Sequence, residues 1–91
     1  KNTKPNVPVS FTLTGFDWTV KTVEDLSECG NCDYNIQTIR LRAGMNKSLT
    51  EQTFAHELVH AIMFSMGHTN HDEIFVDAFG ALLHQYERTK L

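Results

Sequence analysis

Val9, Phe11 and Leu13 alternate with Ser10, Thr12 and Thr14, the period-two signature of a strand with one buried face. Gly15-Phe16-Asp17 makes a turn, and Trp18 and Val20 then resume the alternation against Thr19 and Lys21. Two such runs this close together predict a β-hairpin. The pattern loosens over residues 23–34, where Cys29-Gly30-Asn31-Cys32-Asp33 reads as a loop. A third strand is expected over residues 37–42, with Ile39 and Leu41 on one side and Thr38, Arg40 and Arg42 on the other. Gly44 lies in the segment that closes it. Residues 1–8, polar and carrying Pro5 and Pro8, read as a loose lead-in.

The period changes at Ser48. Ser48-Leu49-Thr50-Glu51 fits a capping box, and residues 49–66 form a helix pattern free of Gly and Pro. Phe54, Leu58, Ile62 and Met66 make one apolar stripe, flanked by Ala55, Val59 and Met63. Gly67 is placed to end that helix. Asn70 or Asp72 can cap a second helix reaching about residue 88, with Phe75, Ala78, Phe79, Leu82 and Tyr86 as its expected buried face, joined by Ile74 and Leu83. Strands first and helices second make the fold class α+β: a small β-sheet of about three strands followed by two packed helices, one domain over residues 1–91.

Composition narrows the classes of function. A chain of 91 residues has a thin core, so a metal that cross-links two helices adds stability as well as chemistry. With 41% hydrophobic and 21% charged residues and a formal charge of −3, no basic stripe is available for nucleic acid. No segment has the length and apolarity of a membrane span or the form of a signal peptide. Cys29 and Cys32 form a CxxC pair without a second pair to complete a structural zinc site, and they read as loop thiols or a short-range disulfide.

His56-Glu57-Leu58-Val59-His60 is an HExxH motif in the middle of the first predicted helix. Four residues turn a helix by about 400°, so the two imidazoles project from one face roughly 6 Å apart along the axis. Two neutral ring nitrogens at that spacing can grip one zinc ion, and Glu57 beside them can take a proton from an attacking water. The plainer alternative is two histidines hydrogen-bonded inside the core. Ala55, Leu58, Val59 and Ile62 surround the pair, which makes two unpaired imidazoles and a carboxyl expensive to bury without a metal.

A catalytic site needs a third protein ligand. A histidine six residues after the second is absent, since that position is Met66. The candidates are His68, His71, Asp72, Glu73 and Asp77. If the second helix packs antiparallel on the first, its early residues face His60 and those one turn later face His56. Glu73 and Asp77 share a face with Gly80, which favours Glu73 as ligand beside His60 and Asp77 as the acceptor that fixes the ring of His56, with Asp77 the second choice as ligand. Gly80 would let the helices approach closely. The plainer roles are helix capping for Glu73 and a solvated charge for Asp77. His68 and His71, near the turn, read as surface residues.

His-Glu-Leu-Val-His-Ala-Ile at 56–62 and Asp-Glu-Ile-Phe-Val-Asp-Ala at 72–78 resemble the small gluzincin-type zinc metallopeptidases of bacteriophages and mobile elements, relatives of the ImmA/IrrE-type proteases that cleave repressors. Gln37-Thr38-Ile39-Arg40-Leu41 is similar to their edge strand, and the resemblance spans roughly residues 34–86. It implies His56, His60 and Glu73 as ligands of one Zn²⁺, Glu57 as general base and Asp77 as the partner of a ligand. It also implies an extended peptide or protein substrate pairing with the strand at Thr38, Ile39 and Arg40 by β-augmentation, in a cytoplasmic protein of bacterial or phage origin. Tyr34 and His84 are the candidates for steadying an oxyanion. The rival expectation is a zinc-stapled binding or phage-assembly module with a latent site, and a weaker one is a redox protein built on Cys29 and Cys32.

Overall fold

The alternation over the first strands folds as a hairpin: β1 (Ser10–Leu13) and β2 (Phe16–Val23) pair antiparallel, Leu13 opposite Phe16 and Phe11 opposite Trp18. The turn is Thr14-Gly15, one residue earlier than expected, with φ of 49° and 83°. Positive φ at both positions matches the twist of the flanking strands in a two-residue hairpin. The computed structural model describes residues 4–90, so the first three residues of the expected lead-in lie outside the described residues. The rest of it is tied down rather than loose. Val7 packs against the core, and the Asn6 N–H donates to Glu51 Oε2 at 2.6 Å.

The cysteine run, expected to be loop, is a strand, so the sheet has four strands rather than about three. β3 (Gly30–Asp33) runs antiparallel to β4 (Thr38–Arg42), linked by a 3-10 turn at Tyr34–Ile36 that the Asp33 side chain caps. A four-residue strand with a glycine and an asparagine has little intrinsic preference to show. Its strand form comes from tertiary contact: a Cβ on Gly30 would lie 2.9 Å from the Arg40 carbonyl and 2.7 Å from the Thr53 methyl. The sheet order is β1-β2-β4-β3, with β2 and β4 parallel. β4 is therefore interior, and β3 is an edge.

α1 (Lys47–Ser65) starts earlier than predicted, because Asn46 rather than Ser48 accepts the Leu49 N–H, at 2.8 Å. The expected capping box is not formed, since Glu51 reaches Asn6 and, at 3.0 Å, the Lys47 ammonium. Gly67, at φ 90°, stops the helix as expected. α1 lies between the sheet and the second helix. Ala61 and Phe54 join Trp18, Ile39 and Leu41 in the core, while Met66, at the end of the expected stripe, is exposed.

α2 (Glu73–Thr89) is capped by Asp72, whose carboxylate accepts the Ile74 N–H at 3.0 Å. Its orientation brings Gly80, Glu73 and Asp77 to α1 as expected but overturns the expected buried stripe. Val76, Gly80 and His84 are buried, and the predicted core residues Ile74, Phe75, Phe79, Leu82 and Tyr86 are exposed. The cause is the contact with α1: a Cβ at Gly80 would lie 3.0 Å from the His56 Cα, so the backbones meet there and the bulkier face turns outward. Among the described residues, no helix is long and apolar enough to cross a membrane.

Candidate metal centre

The four-residue spacing on α1 puts the His56 and His60 rings 5.1 Å apart, centroid to centroid. The first turn of α2 brings one carboxylate across both. Glu73 Oε1 is 3.6 Å from His56 Nε2, and Glu73 Oε2 is 3.4 Å from His60 Nε2. The ligand atoms of these three residues lie within 4.8 Å of one another, and the group could hold a metal ion. Ligand atoms bonded at about 2.0–2.1 Å in a tetrahedral array are about 3.3 Å apart, so the two histidine–carboxylate separations are close to that spacing, and the set as a whole would draw in around an ion.

The hydrogen bonds around the rings decide which nitrogens are free. Asp77 Oδ1 lies 3.0 Å from His56 Nδ1. A carboxylate only accepts, so Nδ1 carries the proton and the lone pair of Nε2 points at Glu73. His60 Nδ1 lies 2.6 Å from Nδ1 of His71, whose Nε2 is 2.5 Å from the His68 carbonyl. The carbonyl accepts from His71 Nε2–H, His71 Nδ1 then accepts from His60 Nδ1–H, and His60 Nε2 is left as a free donor atom for a metal. Both histidines thus present the nitrogen a metal requires. Burial holds the His60 ring below its ordinary value, with His56 and His71 acting the same way against the pull of Glu73. A neutral ring is the ligating form.

His71 is therefore part of this cluster and not a surface residue. The turn at Gly67 folds the chain back so that the ring of His71 lies 4.4 Å from that of Phe64, one helical turn beyond His60. The only sequence signal was that Phe64 and His60 share a face; the return of the loop was not visible. His68 contributes its carbonyl alone.

Glu57, almost fully buried, opens on the same cavity of about 440 Å³, whose other wall is Gly30, Asn31 and Cys32 of β3. Burial pushes its carboxyl up to about 7, reinforced by the charges of Glu73 and Glu28. Burial also raises the Cys32 thiol to about 12, with Glu57 and Asp33 adding to the effect. Cys32 is thus a protonated wall residue rather than a thiolate, and both cysteines are free. The cavity continues past Asn31 and Cys32 toward Tyr34, whose ring stacks on Phe64 at 5.0 Å, and in the other direction toward Cys29 and Leu49. Glu73 and Asp77 are 67% and 74% exposed, so the cluster is open to solvent on the α2 side.

Three expected residues are placed elsewhere. Thr38, Ile39 and Arg40 belong to β4, whose edges are both occupied by β2 and β3, so they offer no free backbone to a peptide. Thr38 and Ile39 are also buried. The free edge beside the cluster is β3. His84 lies on a different cavity, of about 790 Å³, with Glu51 and Leu58, and is not positioned to meet an oxyanion near Glu57. Among the described residues, that larger cavity holds no three-residue ligand set, so size does not mark the chemistry here. Comparison with protein-family models, curated proteins and solved structures finds no match, so the likeness at residues 56–62 and 72–78 stands on those residues alone.

Proposed function

We propose that this protein is a zinc-dependent metallopeptidase of the gluzincin type, with His56, His60 and Glu73 as ligands and Glu57 as general base. One observation carries the reading: two Nε2 lone pairs and one carboxylate converge beside a buried glutamate on a groove bordered by a free strand edge. A zinc ion held there supplies a Lewis acid for the scissile carbonyl and acidifies water. Glu57 takes a proton from the attacking water and returns it to the leaving amine. Asp77 and His71 hold the rings of the two ligands in place. The substrate is an extended polypeptide whose backbone pairs with β3, at Gly30–Asp33. The resemblance to phage and bacterial peptidases makes the cytoplasm its proposed compartment.

Glu57→Gln separates binding from turnover. Peptide-library cleavage should be lost while one equivalent of zinc stays bound, and undiminished cleavage by this variant overturns the assignment. A second reading is favoured by the exposure of Glu73 and Asp77, which leaves the cluster with little enclosure on one side. In that reading zinc staples α1 to α2 in a binding module, and the wild-type protein binds zinc stoichiometrically without cleaving any library peptide.

A further inference from the structure

α2 carries most of its large apolar side chains away from the rest of the molecule. Phe75, Phe79, Leu82 and Tyr86 follow one another at steps of four, three and four, and all are exposed, with Ile74 beside them at 81%. Together they leave on the order of 600 Å² of side chain in contact with water, at the upper end of what a monomer's largest apolar patch shows. The rings of Phe75 and Phe79 already pack edge to face, with centroids 5.6 Å apart. This stripe lies opposite Val76, Gly80 and His84, which face α1.

We propose that this stripe is the interface of a homodimer, in which α2 of two copies lie antiparallel about a twofold axis between Phe79 and Leu82. The alternating steps of three and four are those of a two-helix seam. A twofold contact is self-complementary, so each pair must appear twice. Here Phe79 meets Leu82 of the second copy, and Phe75 meets its Tyr86. Charge selects the antiparallel arrangement. The start of α2 is acidic, with Asp72 and Glu73, and its last turn is basic at Arg88, while Lys90 is paired with Glu87 at 3.1 Å. Antiparallel copies set each acidic end against a basic one; parallel copies would stack like ends and align the helix dipoles unfavourably. A standard interface buries about 800 Å² per partner, so one helix face of this size supports a weak, concentration-dependent dimer. The metal cluster lies on the other side of α2, so this proposal does not depend on the proposed activity.

Sedimentation equilibrium of the chain over a wide concentration range tests it. The wild type should pass from monomer to dimer, and Phe79→Glu and Leu82→Glu should each weaken association by at least about a hundredfold with unchanged far-ultraviolet circular dichroism. Arg88→Glu should weaken it by about tenfold, and added salt should weaken the wild type more than that variant. In a background of Cys29→Ser and Cys32→Ser, oxidising a mixture of Phe79→Cys and Leu82→Cys chains should give mainly the mixed cross-link. A wild type monomeric at about 1 mM overturns the dimer, as does equal association by Phe79→Glu. Binding to phosphatidylcholine or anionic vesicles by a chain that stays monomeric reassigns the stripe to a lipid surface. Cross-links dominated by like pairs overturn the antiparallel register.

Discussion

α1 stands between two pairings of imidazole with carboxylate, and they differ in kind. On one side, His56 and His60 meet Glu73 at 3.6 and 3.4 Å, and each ring has its other nitrogen held by a further group. On the other, His84 Nε2 lies 3.5 Å from Glu51 Oε1, buried and without a hydrogen bond among the described residues. The distances are nearly the same. What separates the two is convergence: the first side has three donor atoms on one point and an outer partner for each ring, whereas the second has two groups. Burial alone would raise the Glu51 carboxyl, but the Asn6 N–H and the Lys47 ammonium outweigh it and hold the group below its ordinary value. Glu51 is thus already committed to the N-terminal segment. Nearness of histidine to glutamate is not a metal site. Shared direction of lone pairs is what would let a group hold an ion.

The strongest break of this contrast is by ligand deletion. His60→Ala should lower zinc affinity by more than about a thousandfold, measured by competition with a chromophoric chelator. His84→Gln should leave it within about twofold, since His84 offers no third ligand. Equal losses in both variants would erase the distinction between the two sides.

Next in size are the residues that act through the ligands. Asp77→Ala and His71→Ala should each weaken zinc binding by about 10- to 100-fold, because the ring they orient regains rotational and tautomeric freedom. His71→Gln should recover part of the loss, since its amide oxygen can accept from His60 Nδ1–H. An unchanged affinity in His71→Ala would remove that residue from the site and restore it to the surface role its position near the turn suggests.

His71 also shows what the sequence could and could not reveal. The HExxH spacing lies within one helix, so its geometry follows from the helical repeat alone. Glu73 and Asp77 follow from one further assumption, antiparallel packing, which Gly80 makes possible by admitting the His56 backbone at 3.0 Å from a would-be Cβ. His71 depends on how residues 66–72 return, and no periodicity governs a turn. The apolar pattern of α2 misled for a related reason. It predicts a buried stripe, but Gly80 and the carboxylates that meet the histidines turn α2 the other way, leaving Phe79 and Leu82 outside. β3 was invisible because Gly30 and Asn31 have no strand preference, and the strand exists only through β4 and Thr53. With β3 paired to β4, the free edge of the groove lies at Cys32 and not at Ile39.

The smallest expected effect is the most specific to the metal side, and it concerns the metal-free protein. The Glu57 carboxyl is raised by burial from its ordinary 4.5 to about 7. Below the ordinary value it is protonated in both the folded and unfolded chain and costs nothing. Between the two values the unfolded chain releases the proton and the folded chain keeps it, so stability falls as pH rises and the loss is complete above the folded value. His60, lowered by burial, acts oppositely: the unfolded chain takes up its proton first as pH falls. The two slopes overlap, so the measurement is the difference between wild type and Glu57→Gln. Urea unfolding of the metal-free proteins should show the wild type losing on the order of 2 kcal/mol relative to the variant from pH 4.5 to 7. Added zinc should flatten that difference, because a nearby cation favours the ionised carboxylate. Parallel curves for the two metal-free proteins would mean that Glu57 is not held in a water-poor pocket, and the contrast between the two sides of α1 would then rest on His56, His60 and Glu73 alone.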